Sequence, residues 1–120
     1  MSTQEVADKL VQYCREGKNV DAINELYDDN IVSKEMDGVP DNVTIGKANV
    51  LAKTIDWYNS VEEIHSGEIS DALVAGNHFT VTMDMDVTYK KSGRMPMSEI
   101  AVYEVKDGKI VADQFYYNLG

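Results

Sequence analysis

Two carboxylates in the second half of the chain stand among apolar residues at the spacing of a β-strand. Asp113 lies two residues before Phe115, and Glu99 lies two residues before Ala101. Residues two apart share one face of a strand, so each acid faces the same side as its apolar neighbours. An unpaired carboxyl in such surroundings has a raised pKa, which suits a general acid or base near neutral pH. We therefore take both as candidate catalytic residues.

Other kinds of chemistry have little support in the sequence. Cys14 is the only cysteine, which excludes an intramolecular disulfide and any site with several cysteine ligands. Asp84 and Asp86 share a strand face but have no histidine or third acid with them, so a solvated outer face explains them better than a metal site. A glycine-rich phosphate loop and a nucleophile-elbow serine are also missing. We expect no cofactor and no metal.

Length and charge limit the class of protein. The 120 residues suit one domain over residues 1–120, with 43% hydrophobic and 27% charged residues. A net charge of −10 repels phosphate backbones and anionic lipid surfaces, so nucleic acid and membranes are not expected partners. The first residues show no secretory signal pattern, and we expect a cytoplasmic protein.

The first half of the chain has the periodicity of helices. Apolar residues recur every three or four positions after a possible capping box of Ser2 and Glu5 and again from Asn19, which gives two short helices. Residues 31–36 follow as a short predicted strand, and a third helix begins after Gly46.

From Glu62 onward the period changes to two. Residues 79–89 alternate apolar and polar side chains, and turn signals such as Asp107-Gly108 divide the second half into about four long strands. Long strands joined by short turns predict an antiparallel meander. Helices followed by strands predict an α+β domain with the helices on one face of the sheet.

Three segments carry a resemblance that spans nearly the whole chain. They are Gly17 with residues 20–30 (VDAINELYDDN), Gly46-Lys47-Ala48, and residues 102–111 (VYEVKDGKIV). Together with the order of elements, they resemble the nuclear transport factor 2-like superfamily, and within it the SnoaL-like and ketosteroid isomerase-like proteins. The resemblance implies three helices packed on a strongly curved antiparallel sheet that forms a cone with an internal pocket.

The resemblance also implies which residues face that pocket. It places Asp113 and Glu99 inside and puts Glu35 where ketosteroid isomerase-like proteins carry a carboxylate base. His65 is a fourth catalytic candidate, although the register of residues 62–72 leaves its direction open. The expected ligand-binding side chains, for which plain core packing is the alternative, are Tyr117, Phe115, Tyr103, Trp57, Tyr58, Met83, Met85 and Met97.

Two functions fit this arrangement. One is a cofactor-independent acid–base enzyme of the isomerase, cyclase or dehydratase class, acting on a hydrophobic carbonyl compound. The other is a non-catalytic module that binds a hydrophobic small molecule or a partner chain. Ile100, Val102 and Tyr116 fall on the outer face of the predicted sheet, so a homodimer through that face is expected with either function.

Overall fold

The three predicted helices are present in the computed structural model, which describes residues 1–118. Ser2 caps the first helix, where its side chain accepts from the Glu5 amide and the Glu5 carboxylate accepts from the Ser2 amide, so the predicted capping box is confirmed. Gly46, with φ of 93°, precedes the third helix in a conformation that favours glycine. The helices are α1 (Thr3–Arg15), α2 (Asn19–Leu26) and α3 (Lys47–Ser60).

The strands form one seven-stranded sheet. The strands are β1 (Tyr27–Lys34), β2 (Val43–Ile45), β3 (Val61–Ile69), β4 (Leu73–Ala75), β5 (His78–Tyr89), β6 (Gly93–Lys106) and β7 (Lys109–Tyr117). Their order is β2-β1-β7-β6-β5-β3, with the short β4 also paired to β5. The α+β class and the long antiparallel hairpins β5–β6 and β6–β7 are as predicted.

The expectation of a purely antiparallel sheet was wrong, because β1 runs parallel to β7. The short strand predicted at residues 31–36 begins earlier, at Tyr27, immediately after α2. Residues 28–30 are polar and their pairing with β7 is interrupted, so they lack the alternation that marks a strand. A parallel pair needs a long connection between its strands, and here the rest of the domain supplies it.

One face of the sheet, called the inner face below, packs against the helices. Val6 and Leu10 of α1 and Leu26 of α2 are buried in one cluster with Phe79 and Val81 of β5. On β5 the inward and outward residues alternate as predicted. Within residues 1–118 no helix is long and apolar enough to cross a membrane.

Burial decreases along the inner face from one end of the sheet to the other. Inner residues near the β6–β7 turn, such as Val105 and Ile110, are fully buried. Further along the same strands the inner residues are only half-buried. These half-buried residues, called the open half of the inner face below, are Met83, Met85, Met97, Glu99, Phe115 and Tyr117.

The alternation that turns Asp113 inward also predicts an inward Val111, and a bulge in β7 changes this. Glu104 pairs with Ala112 and Val105 pairs with Ile110, which leaves Val111 without a partner on β6. Ile110 is therefore the residue that fills the core, and Val111 is only half-buried. Beyond the bulge, the predicted inward direction of Asp113 holds, because this side chain is buried.

Candidate functional site

Asp113 is the most deeply buried acid of the described residues, with 3% of its surface exposed. The Tyr27 hydroxyl donates a hydrogen bond to Asp113 Oδ2 at 3.0 Å, whereas Oδ1 is buried without a hydrogen-bond partner. Burial raises the pKa of Asp113 to about 6, and Tyr27 and the neighbouring Ser33 oppose this rise. Of these two groups Ser33 lowers the pKa of Asp113 more, although its hydroxyl makes no hydrogen bond of regular geometry to Oδ1.

The parallel pair β1–β7 brings these groups together. Ser33 is the register partner of Asp113, and Tyr27 begins β1 directly after α2. Both residues are buried, Tyr27 with 6% and Ser33 with 6% of their surface exposed. Sequence reasoning missed both residues, because nothing in the local pattern of β1 indicates which strand it pairs with. In the structure Ile31 and Ser33 are the buried residues of this stretch, but the sequence Ile-Val-Ser-Lys-Glu at 31–35 has no apolar alternation that marks Ser33 as inward.

Glu35 follows the last residue of β1 and is paired at both carboxylate oxygens. Lys53 Nζ of α3 lies 3.3 Å from Oε1, and the Tyr117 hydroxyl donates to Oε2 at 2.8 Å. Burial, together with this bond to Glu35, raises the pKa of Tyr117 to about 12. Tyr117 therefore remains a proton donor to Glu35 at neutral pH.

Glu99 lies on β6 between Met83 of β5 and Tyr117 of β7. Burial first, and then repulsion from Glu35 and Asp113, raise the pKa of Glu99 to about 7. Neither a hydrogen bond nor a cation among residues 1–118 opposes that rise.

The three acids lie on one face at different depths. Asp113 lies in the buried part of the inner face, and Glu99 belongs to the open half. The side chain of Glu35 has 20% of its surface exposed. Tyr117 is the register partner of Glu99 and lies four residues after Asp113 on β7. At 3.3 Å per residue, the positions of Asp113 and Tyr117 are about 13 Å apart along the strand. The structure thus brings together three of the four predicted catalytic residues without direct hydrogen bonds between them.

His65 does not join this group. Its Nε2 lies 2.6 Å from Thr88 Oγ1, and its Nδ1 lies 2.6 Å from Glu63 Oε2. Thr88 follows the buried Val87 and points to the outer face, so His65 is on the opposite side of the sheet from Asp113. Pairing shifts between Ile64 and Ser66, and this bulge made the direction of His65 unpredictable.

Aromatic and methionine side chains surround the open half of the inner face. Trp57 Nε1 donates to the Tyr89 hydroxyl at 3.2 Å, and that hydroxyl lies 2.8 Å from Met97 Sδ. Tyr58 packs edge-on against Trp57, with ring centroids 5.2 Å apart. Of the predicted ligand-binding residues, Trp57, Tyr58, Met83, Met85, Met97, Phe115 and Tyr117 are half-buried.

Tyr103 is an exception among those residues. It has 2% of its surface exposed and stacks on Phe79 with ring centroids 4.7 Å apart. Phe115 meets its edge at 6.5 Å. Tyr103 is thus part of the core beneath Phe115 and is not one of the half-buried residues of the open half.

The expected internal pocket around the acids is not confirmed. An apolar groove of about 360 Å³ lies along β4 and β5, and a smaller one of about 170 Å³ lies beside α1. Neither is lined by Asp113, Glu35 or Glu99. Among residues 1–118, no group of three histidine, cysteine, aspartate or glutamate side chains is arranged to hold a metal ion.

Comparisons with known structures agree with this fold. One similar structure is a proposed SnoaL-like polyketide cyclase from Mesorhizobium loti. It is 32% identical to this chain with a TM-score of 0.89, and the match covers 98% of this chain and 100% of that one. A proposed isomerase from Bacillus subtilis is 24% identical with a TM-score of 0.75, covering 98% and 90% of the two chains.

A third structure, from Catenulispora acidiphila, has a ketosteroid isomerase-like fold and is a complex with trimethylamine. It is 18% identical with a TM-score of 0.75 over 96% of this chain and 86% of that one. The comparison with curated proteins gave no match. The family model described as "SnoaL-like domain" matches residues 1–117. The chain therefore belongs to the SnoaL-like domain family.

Proposed function

We propose that this protein binds a hydrophobic carbonyl compound on the open half of its inner face and that Asp113 moves a proton beside the carbonyl. The observation that carries this proposal is the state of Asp113: Tyr27 holds one carboxylate oxygen, and the other is buried with no partner. A pKa of about 6 leaves most of this carboxyl ionised at pH 7, so it accepts a proton from a weakly acidic carbon.

Asp113 suits the role of base better than the other two acids. Lys53 and Tyr117 already occupy both oxygens of Glu35. Glu99, with a pKa of about 7, is about half protonated at neutral pH, and it belongs to the half-buried residues. Return of the proton from Asp113 to another ligand atom completes an isomerisation, and loss of a leaving group or attack by the carbanion gives dehydration or cyclisation.

The side chains of the open half support an apolar ligand. Met83, Met85 and Met97 are unbranched and adapt their shape with little cost, so they can move aside to let a ligand approach Asp113. Phe115 and Tyr117 offer flat surfaces between the entrance and that carboxylate. This plasticity supports a ligand site on the open half, although neither of the two grooves described above is lined by the acids.

Exchange of α-hydrogens tests the proposal without knowledge of the natural substrate. A panel of hydrophobic ketones is incubated with the protein in D2O, and proton NMR follows the loss of the α-hydrogen signals. We expect catalysed exchange that rises with pH to a plateau above about pH 6, the pKa of Asp113. Asp113→Asn lowers the rate by about 100-fold or more, which is the contribution of a general base.

The matched control is Asp84→Asn, which removes an exposed carboxylate from the outer side of β5 and leaves the exchange rate unchanged. A wild-type rate in the Asp113→Asn variant would eliminate Asp113 as the base. Ketones that raise the melting temperature but do not exchange in any variant would favour the second candidate, a non-catalytic binding module. The hydrogen bond from Tyr27 then serves only to stabilise a buried carboxyl.

The outer face supports assembly into a homodimer. Ile100 and Tyr116 are register partners there, with 47% and 44% of their surface exposed, and Val102 lies beside them. Covering this patch with a second copy removes apolar surface from water. We also propose a cytoplasmic location, which suits a chain whose single cysteine forms no disulfide.

A further inference from the structure

Glu99 differs from the other two inner-face acids because, within residues 1–118, it has no hydrogen-bond or ion-pair partner. Tyr27 donates to Asp113, and Lys53 and Tyr117 bind Glu35. The groups that act on Glu99 are its own burial and the charges of two other acids. This partial burial without a protein donor favours the protonated form of Glu99 in the free protein.

A second acceptor in the same region also lacks a donor. Asp113 Oδ1 is buried and has no hydrogen-bond partner among residues 1–118, and only 3% of the surface of this residue is exposed. Lys53 is the only cation that acts on these acids within residues 1–118, and Glu35 already binds it. The inner face therefore offers carboxylate acceptors and negative charge, with few donors to match them.

The side chains next to Glu99 are of the kinds that accommodate organic cations. Tyr117 and Met83 flank Glu99 on the two neighbouring strands, and Met97 precedes it by two residues on the same face. Trp57 donates to the Tyr89 hydroxyl, and this hydroxyl in turn donates to Met97 Sδ, so both rings extend the lining. Aromatic faces attract ammonium groups, and polarisable thioethers fill the space around their alkyl substituents.

We infer that the ligand of the inner face carries an ammonium group, which pairs with Glu99 while its apolar part lies against Tyr117 and the methionines of the open half. This inference rests on the proposed site and adds the charge of the ligand to it. An anionic ligand is disfavoured by the same three acids. An inorganic cation has no suitable cluster of ligands among the residues described.

Such a ligand makes binding depend on pH. Glu99 must be ionised to pair with ammonium, and the titratable groups around it are Glu35 with Lys53, Asp113, Tyr103 and Tyr117. With a pKa of about 7, the ionised fraction of Glu99 rises about tenfold from pH 6 to pH 8. The affinity for an ammonium ligand should rise by about the same factor.

Phenethylammonium and 2-phenylethanol form a suitable pair of probes, because they share size and ring and differ in charge. Binding is measured by ligand-detected NMR titration at pH 6 and pH 8. We expect the ammonium compound to bind wild-type protein at least about tenfold more tightly than the alcohol at pH 8. Glu99→Gln abolishes this preference and its pH dependence. Glu104→Gln, on the other face of the same strand, leaves both unchanged.

The other outcomes separate this inference from its alternatives and from the catalytic proposal. Equal binding of the alcohol and the ammonium compound shows that the site recognises only apolar surface. Displacement of phenethylammonium by millimolar Mg²⁺ shows an inorganic cation site. Ammonium binding without α-hydrogen exchange in any ketone refutes the catalytic proposal and leaves this inference standing. Catalysed α-hydrogen exchange without a preference for the ammonium compound refutes this inference alone.

Discussion

Replacing Asp113 by asparagine should change how the stability of the protein depends on pH. Only 3% of the surface of Asp113 is exposed. The Tyr27 hydroxyl can donate to the amide oxygen of asparagine as it does to Oδ2 of Asp113. The variant thus keeps the shape and this hydrogen bond but loses the ionisation. The comparison isolates one carboxyl, because every other acid is present in both proteins.

The magnitude follows from the raised pKa. Asp113 has an ordinary value of 3.8 and a value of about 6 in the folded protein, so the native state holds its proton more tightly than the unfolded chain. Its contribution to stability is full below pH 3.8 and is lost as pH rises toward and past 6. The difference between the two values corresponds to about 3 kcal/mol.

Urea unfolding at fixed protein concentration between pH 3.5 and pH 7.5 measures this effect. We expect the free energy of unfolding of Asp113→Asn to increase by about 3 kcal/mol relative to wild type across that range, with most of the change between pH 4 and pH 6. Parallel curves for the two proteins would refute the raised pKa. A relative loss of stability by the variant as pH rises would show that the ionised Asp113 is well paired.

Four further substitutions probe single contacts. Tyr27→Phe removes the hydrogen bond to ionised Asp113, which is worth about 1.5–3 kcal/mol. The pKa of Asp113, about 6 in the wild type, should therefore rise by about one to two pH units in carboxyl-detected NMR. Ile100→Lys on the outer face should convert a dimer to a monomer in sedimentation, and a wild-type monomer would refute the proposed interface. Phe79→Ala should lower the free energy of unfolding by about 3–5 kcal/mol, because it empties the core beneath Tyr103. Arg94→Gln breaks an exposed ion pair with Asp86 and should leave the free energy of unfolding nearly unchanged in urea unfolding.

The parts of the fold that depend on local pattern could be predicted from the sequence. The capping box at Ser2 and the alternation of β5 rest on residues within a few positions of one another. The inward direction of Glu99 followed from the same alternation, and it places this acid on the same face as Met83. Such features need no knowledge of which distant strands pair.

The features that failed depend on pairing or on one inserted residue. A bulge at Val111 puts Ile110 in the core, and another near His65 leaves that residue on the outer face. A bulge shifts the face of every residue on one side of it. No proline or glycine adjoins Val111, and Gly67, which follows the bulge in β3, does not by itself show at which residue the pairing shifts. Alternation alone therefore predicts direction only within an uninterrupted ladder.

The parallel pairing of β1 with β7 is also the step that builds the candidate site. Tyr27 is 86 residues from Asp113 in the chain, and no local pattern connects them. Because β1 begins directly after α2, the position of Tyr27 is set by a buried helix, and its hydroxyl holds Oδ2 from a rigid element. The same pairing puts Ser33 at the register position of Asp113 without a bond to Oδ1. The topology thus determines which oxygen of Asp113 is held by Tyr27 and which, among residues 1–118, has no hydrogen-bond partner.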